Sequence, residues 1–444
     1  MNITIPKQVN IAIELLQNNG YETYIVGGCV RDYLMGKQPS DIDITTSAKP
    51  QETMRVFEDY KVIETGIKHG TVTVIINSLP LEITTYRIDG DYSDNRRPDD
   101  VSFTKSLKVD LARRDFTMNA IAYNPQVGFV DYFGGQNDIQ NKVVRCVGTA
   151  KERFGEDSLR ILRALRFSSQ LGFEIERETS KALFVQRGLL KNISAERVAA
   201  ELKKLLLGEN VKEVFVQYAD IIGAVIPEIL PMKGFEQSTP YHIYDVLAHS
   251  IVAVQNIEKV PYLKIAALLH DIGKPKTFSK DEKGIGHFYG HAEISMKIAD
   301  SILSRLKFDN FTKQRVDTLI KYHDVPIEPN EKSVKRWLNK LTPEIFFELL
   351  ELKRADNLAQ NPAYFDRQQT TYKVNEIANK IIAQGECFSL KDLKIDGKDL
   401  IALGIPKGKV IGETLNKLLD FVIDKKLEND YQSLADYAKL YIIR

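Results

Sequence analysis

The chain has 444 residues, 43% of them hydrophobic and 27% charged, with a formal charge of +1. This composition suits a globular protein of roughly two to four domains, excludes disordered and collagenous chains, and gives no global sign of nucleic acid binding. Cys29, Cys146 and Cys387 are odd in number, far apart and form no Cys-x-x-Cys, which argues against a disulfide scaffold or thiolate zinc site and for a reducing cytoplasm; no long apolar run or basic-then-apolar leader predicts a membrane span or signal peptide.

Taken in chain order, Val9–Leu16 reads as a helix and Tyr24-Ile25-Val26 as a strand running into Gly27-Gly28. Arg31-Asp32-Tyr33-Leu34 opens a short helix, and Ile42 and Ile44 alternate with Asp41 and Asp43 on a second strand. Strand side chains repeat with period two, so both aspartates point to one face. Adjacent carboxylates repel unless a cation lies between them, and hard oxygen ligands suit Mg²⁺. A Gly-Gly turn lets backbone N–H groups approach phosphate oxygens, and Arg31 adds a charged fork. Separately these are a surface Asp-x-Asp and a tight turn; in a strand–turn–helix–strand context they are parts for nucleotidyl transfer from a Mg²⁺-bound nucleotide.

Thr71–Ile76 and Leu81–Thr85 are expected strands separated by a turn at Asn77-Ser78. Glu82 is the candidate third carboxylate or, more plainly, a partly exposed strand residue. Arg87 to Pro98 is too polar to build core and reads as a mobile loop over the site. In Asp110-Leu-Ala-Arg-Arg-Asp-Phe-Thr-Met-Asn119, Arg113 and Arg114 beside Asp115, with Asn119 a turn beyond, are candidates to hold a triphosphate and ribose. The alternative is a helix start with Asp115 near its N-cap. Gly128–Tyr132 suggests one more strand.

After Gly134-Gly135 the pattern becomes almost wholly helical, with Phe154–Ser169, Arg177–Gln186 and Ala195–Leu207 as the first helices. Residues 142–212 hold 15 Lys/Arg and 9 Asp/Glu, a local excess that suits a polyanion or a solvated face. On one helix over Phe154–Ser169, Ile161, Leu162 and Leu165 pack while Asp157 and Arg160 emerge together. A salt-bridged surface helix would look the same. A Pro/Gly break at Ile226–Gly234 opens a unit from Tyr241 to about Asn357 with six of the seven histidines. His270 and Asp271 end an apolar helix in an exposed last turn, His249 lies upstream, and His291, His323 and Asp356 follow. A lone histidine is usually structural, but this set suits Mn²⁺, Fe²⁺, Co²⁺, Ni²⁺ or Zn²⁺. His242 and His287 fit the spacing less well. The Lys/Asp/Gly-rich stretch 391–412 sets off a small helical tail.

The ordered blocks Gly-Gly-x-x-Arg-Asp, Asp-x-Asp, Arg-Arg-Asp-Phe-Thr-x-Asn-Ala and Glu-Asp-x-x-Arg resemble the class II tRNA nucleotidyltransferases, the CCA-adding enzymes of the polymerase-β-like superfamily, over about residues 20–210. The resemblance implies Asp41 and Asp43 as Mg²⁺ ligands and catalytic residues with Glu82, and Gly28, Arg31, Arg114 and Asn119 at the nucleotide. It makes Asp157 and Arg160 the readers of the incoming base, with Arg163 and Arg166 on the same helix. The implied partners are CTP, ATP and the 3′ acceptor end of tRNA, with the tail lysines Lys391, Lys394, Lys398, Lys407 and Lys409 along the tRNA. A poly(A) polymerase or an A-adding tRNA nucleotidyltransferase shares the chemistry and remains open, as does the oligomeric state. His249, His270, Asp271, His291, His323 and Asp356 resemble the HD superfamily of metal-dependent phosphohydrolases. That implies a second metal site, or, as a different function, an HD phosphohydrolase with an RNA-binding head.

The expected fold is α+β: a small mixed α/β nucleotidyltransferase head over 1–140, an all-helical neck over 141–225, an HD-bearing helical body over 226–375 and a helical tail over 376–444.

Overall fold

Ile42, Ile44, Leu81 and Ile83 bury one side of two neighbouring strands, and this alternation organises the head. The structure is a computed structural model describing residues 5–39, 41–90, 101–364 and 366–441. Its contacts divide it into two compact units, Met1–Leu230 and Pro231–Arg444.

The first unit is built on a seven-stranded mixed sheet of β1 (Thr23–Val26), β2 (Asp43–Thr46), β3 (Lys61–Ile63), β4 (Thr71–Ile76), β5 (Leu79–Thr85), β6 (Ala122–Asn124) and β7 (Gly128–Val130). The order across the sheet is β3-β4-β5-β2-β1-β6-β7. β2 and β5 run parallel and the other neighbouring pairs antiparallel. One face, carrying Ile25, Ile44, Val72, Val74, Leu81 and Ile83, packs with Val9, Ile13 and Leu16 of helix α1 (Lys7–Asn18) and with Val30 of helix α2 (Gly28–Leu34). Tyr24 and Val26 look the other way, into a second cluster with Tyr86, Leu107 and Leu111. β4 and β5 are joined by Asn77 and Ser78, both at positive φ, 47° and 67°. That is the conformation a two-residue hairpin turn requires. β3 and β6 were not among the expected strands.

In the first unit four expectations change. β2 starts at Asp43, so Asp41 lies in the extended segment ahead of it. The single helix over Phe154–Ser169 is two, Ala150–Glu156 and Leu159–Leu171, separated by an extended Asp157 at φ −128° and ψ 101°. Asp157 accepts the backbone N–H of Leu159; a short polar side chain that bonds locally competes with continued helix. The neck is not all-helical, since Val143–Val144 pairs in parallel with Glu174–Ile175. Of the Arg87 to Pro98 loop, Arg87–Asp89 forms a strand paired with Val101–Phe103, and residues 91–100 lie outside the described residues.

The second unit is helical apart from the short hairpin Ser279–Lys280 and Gly286–His287. Its principal helices are Val246–Asn256, Pro261–Leu269, His291–Arg305, Asn310–Tyr322 and Glu331–Leu358, the last kinked at Thr342 before Pro343. The helix Asp366–Ala383 runs unbroken through the expected 375/376 junction because Val374, Ala378 and Ile381 keep one apolar face buried across it. A separate small core begins at Cys387 and includes Leu393, Leu400, Leu418 and Leu434. The three cysteines are free and buried. Among the described residues no helix is long and apolar enough to cross a membrane.

Candidate functional site

Strand register brings the head's acidic residues together. Val26, Asp43 and Glu82 are consecutive partners across β1, β2 and β5, so the two carboxylates project side by side from one face. Asp41 joins that side by the same alternation that turns Ile42 and Ile44 into the core. Asp41, Asp43 and Glu82 are all exposed. Partial burial raises the Asp43 carboxyl, Arg114 opposes the rise, and Asp41 and Glu82 reinforce it. Hard oxygen donors whose negative charges strain one another fit a Mg²⁺ ion. Among the described residues, however, the triads with ligand atoms within 4.8 Å of one another lie in the second unit; the head carboxylates are not drawn that tightly.

Arg114 is held behind this group. Its Nη2 lies 3.5 Å from Asp110 Oδ2, and Asp110 is fully buried, also accepting from Arg113 at 2.9 and 3.0 Å and from the Arg87 backbone at 3.2 Å. Burial pushes the Asp110 carboxyl up, but Arg113 and Arg114 outweigh it and hold it below its ordinary value. Gly27 has φ +86°, and a Cβ there would stand 3.1 Å from Arg114 Nη1 and 4.0 Å from Asp43 Oδ2. The first glycine of the pair is therefore the demanding one. At Gly28 a Cβ would meet Arg31 at an ordinary 3.6 Å.

Arg31 donates Nη1 to Asn119 Oδ1 at 2.8 Å and pairs with Asp32 at 2.7 Å. Asn119 donates to Asp115 Oδ1 at 3.1 Å, and Asp115 Oδ2 accepts Nε and Nη2 of Arg163 at 2.8 and 2.6 Å. Burial alone would raise the Asp115 carboxyl, but Arg163 and Asn119 bring it to about 2. Asp115 is thus a buried hub and not an N-cap. Glu201 continues the chain to Arg166 at 3.3 Å, and Arg31, Arg163 and Arg166 all approach the Phe167 ring.

Asp157 and Arg160 do not emerge as one exposed pair. Asp157 Oδ2 accepts from Arg197 Nη2 at 2.8 Å. Arg160 donates to Glu156 at 2.7 Å and to the carbonyls of Arg113 at 2.8 Å and Arg153 at 3.2 Å. Asp157 lies at the break between two helices, and each of the two side chains is held by a partner the periodicity could not name. Asp110, Asp115, Gly27, Arg197 and Glu201 were missed as structural partners; the charge pattern of Asp110 to Asp115 was the available signal for the first two.

In the second unit the six expected ligands converge. Five of them are buried, not exposed at a helix end, and Asp356 is half-buried: His249 and His270 show no exposed surface and Asp271 1%. The apolar helix Pro261–Leu269 is enclosed on all sides, so its C-terminal residues are too. His249 and His270 Nε2 lie 3.3 Å apart and 3.4 and 3.3 Å from Asp271 Oδ2. His291 and His323 Nε2 lie 3.2 Å apart and 3.3 and 3.6 Å from Asp271 Oδ1. Asp356 Oδ1 is 2.9 Å from His249 Nε2. Lys274, not foreseen, contacts Asp271 Oδ2 at 2.7 Å, although that oxygen makes no well-formed hydrogen bond. His242 lies beside the group, 5.1 Å from His249 between rings, whereas His287 pairs instead with Asp281. Nitrogen and carboxylate donors converging on a buried, under-satisfied oxygen fit a transition-metal ion.

Comparison with known proteins assigns the class first. Residues 23–145 match the family profile described as poly A polymerase head domain, 172–220 that described as probable RNA and SrmB-binding site of polymerase A, and 276–438 that described as tRNA nucleotidyltransferase domain 2 putative. The head is thus that of a polymerase-β-like nucleotidyltransferase. The chain is 36% identical over 426 residues to the CCA-adding enzyme of Oceanobacillus iheyensis, covering 95% of this chain and 94% of that one. It is 33% identical to that of Anoxybacillus flavithermus, covering 97% and 96%. The solved CCA-adding enzyme of Bacillus stearothermophilus in complex with CTP superposes with a TM-score of 0.70 at 28% identity, covering 98% and 97%. The chain belongs to the CCA-adding enzymes of class II, the bacterial type.

Proposed function

We propose that this enzyme adds C, C and A in turn to the 3′ end of tRNA from CTP and ATP, without a nucleic acid template. The observation that carries the reading is the alignment of Asp43 with Glu82 in front of Arg114, within the unit that also holds the arginine-bearing neck helix. Asp41 and Asp43, with Glu82 beside them, would hold Mg²⁺. When bound, Mg²⁺ neutralises the triphosphate and acidifies the terminal ribose hydroxyl. Arg114, steadied by Asp110, faces the phosphates, and Arg31, oriented by Asn119 and Asp32, supports the nucleotide. Asp157 would accept the exocyclic amino group of cytosine or adenine, and Arg160 would donate to the neighbouring ring nitrogen. Uracil and guanine present the opposite pattern, leaving polar groups unpaired. Arg197, donating to Asp157 Oδ2 at 2.8 Å, holds that side chain in place.

We assign 1–140 to the head, 141–225 to the neck, the segment from 226 through the helix Asp366–Ala383 to the body, and the small core from Cys387 onward to a tRNA-binding tail. Lys391, Lys394, Lys398, Lys407 and Lys409 are exposed there, available for sequence-independent phosphate contacts. The free cysteines suit a cytoplasmic enzyme.

The test is incubation with tRNA lacking its 3′ CCA and each labelled nucleotide, singly and mixed. Two C residues followed by one A are expected. Addition of A alone would instead indicate a poly(A) or A-adding enzyme, and no addition would remove the transferase reading.

The buried His/Asp cluster favours a second activity, metal-dependent phosphoester hydrolysis. A metal ion bound there supplies an acidified water. Lys274, Lys353 and Arg367 line a cavity of about 380 Å³ with His291, His323 and Asp356, a positive wall for a phosphoryl group. Loss of 2′,3′-cyclic AMP hydrolysis in Asp271→Ala, with tRNA extension retained, is the expected result.

A further inference from the structure

We propose that Phe167 is a positioning residue for nucleotide transfer, its aromatic ring holding the Arg31 guanidinium in place at the nucleotide by cation–π attraction. This rests on the transferase reading above and adds a contact from the neck to the head's nucleotide arginine. Phe167 is 5% exposed and lies on the helix Leu159–Leu171, which also carries Arg160. Arg31 lies on α2, directly after the glycine turn. One ring therefore joins the base-reading helix to the head.

The hydrogen bonds of Arg31 hold only part of it. Nε and Nη2 donate to Asp32 Oδ1 at 2.9 and 2.7 Å, and Nη1 donates to Asn119 Oδ1 at 2.8 Å. Among the described residues one N–H on each Nη has no acceptor, which leaves both for a phosphate or ribose oxygen. Any further carboxylate used to steady Arg31 would take up those donors. An aromatic ring within about 6 Å attracts the whole cation and consumes no N–H. Arg31 Cζ stands 5.1 Å from the Phe167 centroid, so the ring restrains the guanidinium and keeps its donors for substrate.

The surroundings show why a neutral partner is needed. Arg163 and Arg166 also stand over this ring, with Cζ at 5.3 and 4.1 Å. Burial lowers the Arg166 guanidinium to about 10; the charges of Arg163 and Arg31 add to that fall, while Glu201 and Asp115 oppose it. Glu201 pairs with Arg166 and Asp115 with Arg163, whereas the ion pair of Arg31 is with its own neighbour Asp32. Phe167 is the group all three arginines share. An aliphatic side chain of similar volume would fill the space and leave three like charges without that common attraction. Phe116 packs on Phe167 at 5.7 Å and 83°, which fixes the ring's orientation.

The experiment replaces Phe167 in the full chain by 4-fluoro-, 3,5-difluoro- and 3,4,5-trifluorophenylalanine, which weaken the negative ring face stepwise and barely alter its shape. Steady-state kinetics with CTP and tRNA lacking its 3′ CCA separate KM from kcat, and thermal melting checks the fold. The KM for CTP should rise with each fluorine, by about tenfold in the trifluoro chain, with kcat changed by about twofold or less and the melting temperature retained. In chains that also carry Arg31→Met, the KM should no longer respond to fluorine. A KM indifferent to fluorination overturns the inference and leaves the transferase reading standing, as does a fall in melting temperature with KM unchanged. A full response in the Arg31→Met chains assigns the ring to Arg163 and Arg166 and overturns it as well. No transfer from CTP by the unsubstituted chain overturns the transferase reading and this inference together. If Arg31→Met does not fold, the fluorine series on the native arginine still decides.

Discussion

In the head, Asp41, Asp43 and Glu82 are exposed, the last two aligned by strand pairing, whereas Asp271 and the four histidines of the second unit are buried and each of those histidines is clamped through Nδ1 to a backbone carbonyl. The difference separates two ways of using a cation. Mg²⁺ dehydrates reluctantly and is commonly shared with substrate phosphates, so a loose set of oxygens suits an ion that arrives and leaves with the nucleotide. Imidazoles held in one tautomer suit a resident ion that stays through turnover.

Asp43→Ala should separate the two centres most clearly. Transfer to tRNA should fall by about a thousandfold or more, while the transition-metal content of the second unit stays unchanged. A joint loss of both would mean that the two centres are not independent. Gly27→Ala comes next. Positive φ and a Cβ 3.1 Å from Arg114 should cost about 2 kcal/mol of stability and raise the nucleotide KM about tenfold through a displaced guanidinium. Thermal melting and steady-state kinetics with CTP check it; an unchanged KM would remove Arg114 from the nucleotide. The smallest effect concerns Asp115. Its folded carboxyl lies at about 2, below the ordinary unfolded value near 4, so its stabilisation is complete above about pH 4 and disappears as pH falls toward 2. Asp115→Asn should therefore be less stable by about 2 kcal/mol at neutral pH, and the two denaturation curves should converge on acidification. A pH-independent gap would assign the loss to packing.

Much of the head was legible because its signals are local. Alternation of Ile42 and Ile44 with the aspartates announced a half-buried strand, and Asn77-Ser78 announced the hairpin. The neighbourhood of Asp43 and Glu82 was only suggested, since a parallel pairing between β2 and β5 leaves no mark on either segment. Over Phe154–Ser169 the 3.6-residue period continues through Asp157-Ser158, so it carries no mark of the break, although these residue types also favour local backbone bonds. The histidine set was readable from spacing, but its burial, its tautomers and the partnership with Lys274 arise from helices distant in sequence.

The alignment of Asp43 with Glu82 also sets what an evolving gene can tolerate. Leu81 and Ile83 point into the core on either side of Glu82, so replacing Glu82 by aspartate changes reach by one methylene, whereas gaining or losing one codon just before it inverts the strand. An apolar side chain would then stand next to Asp43 and a carboxylate would enter the core. A change of length in this segment keeps Glu82 beside Asp43 and the apolar residues in the core only when it comes in twos.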